Sequence, residues 1–487
     1  MARTLTHAAS MTVPGADRRH ARHVPWPLSI AGLLVGAVLS GCAGLLHDDK
    51  PLASTPAAGE KVEIESGNGA PVSGAAERRI LGALEAESGA SSILRHHLRY
   101  EQAINRGNPL VLGNRLTLLQ DGPATYKAMF EAMEKARDHI NLETYIFHDD
   151  EIGRRFADIL IRKRQQGVIV NVIYDSLGSV GTATEFFQRM QQVGIATVEF
   201  NPVNPAQLDD DWEINSRNHR KLLVVDGTVA FVGGINISGT YSSSPSGQSI
   251  DGYRRRGEPG WRDTHLRIEG PVVAQFQQAF IDHWISQEEA RPARAAYFPD
   301  VATDGEAIVR AIGSTAEMAT NPAYETLLST IDHAEKHVFL TNAYFAPDPK
   351  LLQALIDAAA RGVDVRFILP GETDSWAVYH TGHSHYDALL KAGVRVYERQ
   401  GTVLHSKTAT IDGIWSTIGS TNLDWRSYVH NDELNAVILD AGFAEEMEAW
   451  FHRDLSHSKE ITLRAWRSRP IWMRVQELSA RLFEYWL

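Results

Sequence analysis

Apolar residues are spaced in two alternating ways along most of this chain. Short, densely apolar runs read as strands: Arg115–Leu119, His139–Phe147, residues 167–175 (GVIVNVIYD) and Ile195–Phe200. Between them lie Ala124–Asp138, Ile152–Gln166 and Thr182–Val193, where apolar positions recur at helical spacing. The second half retraces this order. Helix Tyr324–Glu335 precedes strand 337–345, helix Pro349–Arg361 precedes strand 362–370, and helix Ser384–Ala392 precedes strand 393–400. Strands alternating with helices predict α/β layering, and the repeated order predicts a duplicated domain.

Each half runs on into the same ten-residue pattern. NHRKLLVVDG (Asn218–Gly227) is matched by LHSKTATIDG (Leu404–Gly413). His219, Lys221 and Asp226 therefore correspond to His405, Lys407 and Asp412. Ten residues past each Asp stands an Asn: Asn236 after Gly233-Gly234, and Asn422 after Gly419-Ser420. Residues two apart on a strand share a face, so each His should project beside its Lys. An imidazole beside a fixed ammonium suits attack on an anionic phosphodiester. The lysine neutralises the non-bridging oxygens, and the glycine-rich turn with Asn236, Asn422 and Ser420 offers donors to them. Two copies supply one imidazole to attack and another to move the proton. Asp226 and Asp412 each precede a glycine and are expected to hold a tight turn.

The duplicated HxKxxxxD pattern resembles the phospholipase D superfamily over about residues 108–487. Within it the stretches NPLVLGNRLTLLQDG, NLETYIFHDDEIG, WRDTHLRIEGPVV, SHYDALLKAGVRVYE and GSTNLDWRS are most similar to bacterial cardiolipin synthases. The resemblance implies two duplicated α/β sandwich domains, 108–300 and 301–456, related by a pseudo-twofold axis with both motifs in one cleft. It implies a metal-free route without a cofactor: His219 forms a phosphohistidine, His405 protonates the leaving alcohol, and a second alcohol or water takes the phosphatidyl group. It also implies that Glu433 in the second half and Asp263 in the first orient the histidines. The implied reaction joins two phosphatidylglycerols into cardiolipin and glycerol. Phospholipase D hydrolysis to phosphatidic acid, a nuclease of the same superfamily and a non-catalytic envelope tether remain as alternatives.

Composition narrows these. The 487 residues carry a net charge of −12. The first 41 contribute +3, leaving −15 on the remainder, which disfavours nucleic acid as a partner. Phospholipids and a membrane surface are the expected partners. Arg18, Arg19 and Arg22 precede the apolar run Leu28–Leu39, and Leu39-Ser40-Gly41-Cys42 looks like a lipobox. Residues 1–41 thus read as a lipoprotein signal peptide and Cys42, the lone cysteine, as the lipidated residue. The body would then be anchored in the cell envelope, facing the periplasm. A single transmembrane helix over Val24–Leu46 is the alternative, weakened by Pro25 and Pro27.

Residues 42–75, rich in Ala, Gly, Ser and Pro, read as a flexible tether, and 76–107 as a helical segment. Residues 238–260 form a polar insertion whose Arg254–Arg256 run could meet a phosphate. HTGHSH, with His380, His383 and His385, lacks a completing ligand set and reads as a surface segment at a helix start, with no metal expected. Residues 457–487 mix Arg with Trp and read as an amphipathic helix, suited either to an interface or to docking on the core.

Overall fold

The computed structural model describes residues 61–203, 215–250, 260–288, 291–303 and 305–486. The lipobox with Cys42 and the Arg254–Arg256 run lie outside the described residues. Up to residue 288 the strands are β1 (Ile64–Glu65), β2 (Leu110–Gln120), β3 (His139–Thr144), β4 (Ile169–Asp175), β5 (Ala196–Phe200), β6 (Arg217–Asn218), β7 (Leu222–Val225), β8 (Val229–Gly233) and β9 (Thr264–Glu269). The helices there are α1 (Gly74–Ser88), α2 (Leu98–Ile104), α3 (Asp121–Lys135), α4 (Glu151–Gln165), α5 (Thr184–Gln192) and α6 (Val273–Glu288). Beyond lie β10 (Ala307–Ser314), β11 (His337–Asn342), β12 (Phe345–Ala346), β13 (Asp364–Pro370), β14 (Arg395–Arg399), β15 (Lys407–Ile411), β16 (Trp415–Gly419), β17 (Leu423–Asp424), β18 (Asn431–Leu439) and β19 (Ser458–Ile461). Their helices are α7 (Pro322–Asp332), α8 (Pro349–Ala360), α9 (Trp376–Ala392), α10 (Trp425–Val429), α11 (Ala441–Leu455), α12 (Leu463–Arg467) and α13 (Ile471–Arg481).

The duplication is visible in strand order. The first half runs β5-β4-β3-β7-β8-β9-β2, and the second runs β14-β13-β11-β15-β16-β18-β10. In both, the first three strands are parallel and the rest antiparallel. The halves fuse because β2 also pairs with β10, Val111 opposite Val309, giving one sheet of 17 strands.

Alternation along the strands separates two apolar layers. Leu223, Val225 and Phe231 pack outward with Phe130 of α3 and Phe156 of α4. Their neighbours Leu222, Val224, Ala230 and Val232 face inward, where they meet Ile418, Leu434, Ala436 and Ile438 of the other half. Burial on both faces explains why these strands read as unbroken apolar runs. The expected α/β sandwich is therefore observed, with the inner layer shared by both halves.

Several local expectations are corrected. The expected tether does not hold over its described part: Val62 and Ile64 are buried and β1 pairs in parallel with β2. The VEIE alternation there supplies the inward face. Within 76–107 the helix is interrupted, since Gly89 stops α1 at φ 64°. Its second part packs on α7, and Glu101 accepts from Arg310 at 3.0 Å and from the Trp415 indole at 3.2 Å. Helix α9 starts at Trp376, eight residues before the expected Ser384, so His380, His383 and His385 lie inside it and are buried rather than on the surface. His383 bonds Glu398 and His385 bonds Glu484. The 457–487 segment is likewise divided. Strand β19 extends the sheet against β14, and Pro470 separates α12 from α13.

Candidate active site

The two motifs lie where the halves cross. Just before the first, β6 pairs in parallel with the start of β18, Arg217 opposite Asn431 and Asn218 opposite Asp432. Before the second, Leu404 bridges Arg262. These pairings place each histidine against the other half. The His219 N–H donates to the Asp432 carbonyl at 2.9 Å, and the His405 N–H donates to the Arg262 carbonyl at 2.8 Å. The next residues along those partner strands are Glu433 and Asp263.

The orienting carboxylates are therefore exchanged. His219 Nδ1 lies 3.0 and 3.1 Å from the two Glu433 oxygens, 214 residues away. His405 Nδ1 lies 2.8 Å from Asp263 Oδ2. Sequence position places each acid in its own half; the structure hands each to the opposite half's imidazole. Each contact leaves the outer nitrogen, Nε2, free for chemistry.

The residue before each acid ties the halves further, with charge signs reversed. Arg262 pairs with Asp454 of α11 at 2.8 Å, whereas Asp432 pairs with His283 of α6 at 3.0 Å. His283 also meets Glu143 at 2.6 Å, and the two carboxylates raise its pKa against the opposing effect of burial.

The lysines are arranged alike. Lys221 Nζ donates to the His219 carbonyl and Lys407 Nζ to the His405 carbonyl. Each ammonium also lies over a tyrosine ring, Lys221 at 5.3 Å from Tyr145 and Lys407 at 5.9 Å from Tyr344. Those tyrosines, themselves equivalent in the repeat, are half-buried and stand edge-on to His219 and His405. They form the rim between the buried imidazoles and solvent.

Burial governs the protonation states. It lowers His219 well below the ordinary imidazole range, reinforced by the Lys221 and Lys407 charges. His405 is also lowered by burial and Lys407, but Asp263 opposes the shift. Burial pushes Glu433 up to about 7 and brings Lys407 down to about 8, and it lowers Lys221 well below its usual value.

Asp226 and Asp412 take no part in this cluster through the contacts they make. Asp226 accepts the backbone N–H groups of Arg137, Asp138 and His139; Asp412 accepts those of Glu335, Lys336 and His337. Both have positive φ, 52° and 55°, and each is followed by a glycine at 63° and 67°. Such doubly left-handed turns favour Asp-Gly. Each aspartate thus clips a β-turn to the start of the neighbouring antiparallel strand, β3 or β11.

The remaining expected donors differ in their surroundings. Asn236 accepts from the Ile146 N–H at 3.1 Å and reaches the Tyr241 hydroxyl at 3.3 Å. Asn422 is buried, and among the described residues its Oδ1 has no hydrogen-bond partner. Ser420 is fully buried, and its hydroxyl accepts from the Leu434 N–H at 2.9 Å and bonds Glu433. Its counterpart is Gly234 for a steric reason: a Cβ there would come within 2.2 Å of Asp263 Oδ1. The shorter aspartate occupies the space that a serine side chain takes in the other half.

Several site residues carry no signal in the motif itself. Tyr241 lies in the polar insertion, yet it is buried and its hydroxyl is 3.2 Å from His405 Nδ1. It stands 22 residues past His219, as Ser427 stands past His405, and Ser427 bonds Glu433. That offset is the signal by which Tyr241 could be found. His265 and Asn435, each two residues past an acid, accept the Ile235 and Thr421 N–H groups at 3.4 Å and hold the glycine turns. Among the described residues no cluster of His, Cys, Asp and Glu forms a metal site.

Paired sandwich halves with two His-Lys sets at their junction define the phospholipase D class of phosphodiester-transfer scaffolds. Residues 129–244 and 327–455 match the family model "Cardiolipin synthase, PLD-like domain". The chain is 34% identical over 377 residues to a cardiolipin synthase of Alkalihalophilus pseudofirmus, covering 77% of this chain and 73% of that one. It is 33% identical over 387 residues to a cardiolipin synthase of Listeria monocytogenes, covering 79% and 78%. The crystal structure of Haemophilus influenzae phosphatidylserine synthase shares the fold, with a TM-score of 0.60 over 80% of this chain and all of that one, at 15% identity. The protein belongs to the cardiolipin synthase family of the phospholipase D superfamily.

Proposed function

We infer that the protein is a phosphatidyltransferase of the cardiolipin synthase type. The observation that carries this reading is the convergence of His219-Lys221 and His405-Lys407, each imidazole backed by a buried carboxylate. His219 is the nucleophile. It is the imidazole held further into its neutral form, and Glu433 accepts its Nδ1 proton so that Nε2 carries the lone pair. Nε2 attacks the phosphorus of phosphatidylglycerol, forming the N–P bond as the P–O bond to glycerol breaks. His405, whose protonated form Asp263 favours, gives its proton to the departing glycerol oxygen. Lys221 and Lys407 compensate the charge on the phosphoryl oxygens. His405 then takes the proton from a hydroxyl of a second phosphatidylglycerol. That oxygen attacks phosphorus, the N–P bond breaks, and cardiolipin leaves with His219 restored. No metal or cofactor is called on.

The membrane-bound partners follow from the same reading. The lipidated Cys42 would hold the body at a periplasmic membrane face, and labelling with a radioactive fatty acid that is lost in Cys42→Ala tests the anchor. The reaction itself is tested by incubating the protein with phosphatidylglycerol vesicles and following products by mass spectrometry. Cardiolipin with equimolar glycerol is expected, and none should form with His219→Ala or His405→Ala. Phosphatidic acid alone would assign hydrolysis instead, and activity surviving either substitution would remove the mechanism.

A further inference from the structure

Helix α13 is turned inside out. Its inward positions are Glu477 and Ala480, both buried. Ile471, Val475, Leu478 and Leu482, spaced i, i+4, i+7 and i+11, form one outward stripe, with Trp472 and Phe483 beside it; all six are between 57% and 78% exposed. On an ordinary surface helix these faces would be reversed.

The orientation is fixed by the inward contacts. Glu477 pairs with Arg469 through both oxygens, at 2.8 and 2.6 Å. The Arg469 guanidinium lies 3.9 Å over the buried Trp466 ring, and Trp466 packs on His383 and Tyr386 of α9. Rolling α13 to bury its stripe would break this pair and expose Trp466. Beyond the helix, Glu484 bonds His385 at 2.6 Å. The Tyr485 ring meets Trp425 and His430 at 5.7 Å each. The His430 carbonyl in turn accepts the N–H of Arg217, two residues before the proposed nucleophile. The stripe is thus joined through these contacts to β6, which His219 directly follows.

Its border is cationic and aromatic. Arg464, Arg467, Arg474 and Arg481 are exposed along α12 and α13, and Trp376 is exposed at the start of α9, the helix on which α13 packs. An apolar stripe flanked by arginines and tryptophan matches the boundary between headgroups and acyl chains of an anionic bilayer.

We propose that the outward face of α13, with Trp472 and Phe483, is a membrane-docking surface that seats the protein on an anionic phospholipid bilayer with the His219 side of the cleft at the headgroup level. The proposal rests on the phospholipid-transfer reading. It adds that access to bilayer substrate is set by this surface and is separate from chemistry.

The test uses the full chain and two physical forms of one substrate. The triple variant Val475→Glu, Leu478→Glu, Leu482→Glu leaves Glu477, Ala480 and Arg469 in place, and circular dichroism checks its helix content. Turnover of phosphatidylglycerol in vesicles is expected to fall about tenfold or more, with turnover of monomeric dihexanoyl phosphatidylglycerol unchanged. In parallel, brominated lipids should quench wild-type fluorescence, and Trp472→Phe should remove much of that quenching. Equal loss on both substrate forms, no loss on vesicles, or quenching indifferent to Trp472 overturns the proposal. A stripe that instead holds two copies together, shown by a dimer that the triple variant dissociates with vesicle turnover intact, also overturns it. Quenching is read without turnover. A wild-type protein inactive on both substrate forms but quenched at Trp472 would sink the transferase reading and leave the docking surface standing.

Discussion

The exchange of carboxylates between halves makes a prediction that distinguishes it from any arrangement within one half. Glu433→Gln keeps the side-chain shape but replaces an anionic acceptor with an amide. The carboxylate is fully buried and meets His219 Nδ1 with both oxygens, at 3.0 and 3.1 Å. A hydrogen bond to a charged group of this kind contributes about 1.5–3 kcal/mol, so its loss corresponds to roughly 10–150-fold in rate. The amide nitrogen also favours the tautomer with its proton on Nε2, which removes the attacking lone pair. A fall in kcat at the upper end, about 100-fold, is expected, with KM little changed. Asp263→Asn should cost about as much, but through His405.

The two variants separate when the leaving group no longer needs a proton. With phosphatidyl-p-nitrophenol, the rate of phosphohistidine formation in Asp263→Asn should recover to within about tenfold of wild type, because the acid is dispensable for that step. Glu433→Gln should remain impaired on the same ester, because attack still needs Nε2. Rapid quench with mass-spectrometric mapping of the phosphorylated residue measures both and identifies the nucleophile directly. If His219 is phosphorylated and the pattern inverts, with Asp263→Asn the persistently slow variant, the exchange is refuted.

Further predictions come from neighbouring residues. Gly234→Ser, which would make the first motif copy match the second, should push the Asp263 carboxylate off His405 and reduce turnover at least about tenfold, measured as kcat on phosphatidylglycerol. Asp226→Ala strands three backbone N–H groups and places alanine at positive φ; stability to urea should fall by about 3 kcal/mol or more, with the residual folded protein still active. Because burial raises Glu433 to about 7, its acceptor form is lost as pH falls through that value; because burial lowers Lys407 to about 8, its ammonium is lost as pH rises through that one. The kcat/KM profile should therefore be a narrow bell between these limits, and Glu433→Gln should erase its acid limb. Tyr241→Phe leaves Asp263 on His405 and should slow turnover only about three- to tenfold, by roughly 1 kcal/mol, against the far larger effect of Asp263→Asn.

What the sequence made legible is what is local. The His-x-Lys spacing, the Asp-Gly turns and the order of strands and helices all lie within a few residues of one another, and the repeat doubles each signal. The exchange of Glu433 and Asp263 is not local: the first follows from Arg217 and Asn218 pairing with residues more than 200 positions away, the second from the Arg262–Leu404 bridge. Nothing in either segment names its partner. The acid offset, 44 residues from His219 to Asp263 but 28 from His405 to Glu433, hides the equivalence behind the insertion. Helix α9 was legible only from Ser384 onward because His380, Thr381, Gly382 and His383 interrupt the apolar spacing after its first turn. Their burial comes from Trp466 of α12 and from α13, whose own apolar stripe points to solvent.

The two halves reach one geometry by different means, and that difference is where their chemistry can diverge. Around His219 a glutamate spans the gap, steadied by Ser420, Ser427 and Asn431. Around His405 an aspartate, one methylene shorter, sits over Gly234, and a tyrosine fills the position of Ser427. Burial leaves the glutamate high in pKa against the pull of its hydrogen bonds, and burial with the lysine charges keeps its imidazole neutral, whereas Asp263 favours a proton on His405. A symmetric scaffold thus holds one imidazole prepared to attack and one prepared to carry a proton. Because each carboxylate comes from the other half, neither half alone contains a complete histidine-acid pair. Substitutions in the inner apolar layer that loosen the seam, such as at Ile418 or Leu434, should therefore reach both histidines at once, through the β6–β18 pairing and the Arg262–Leu404 bridge.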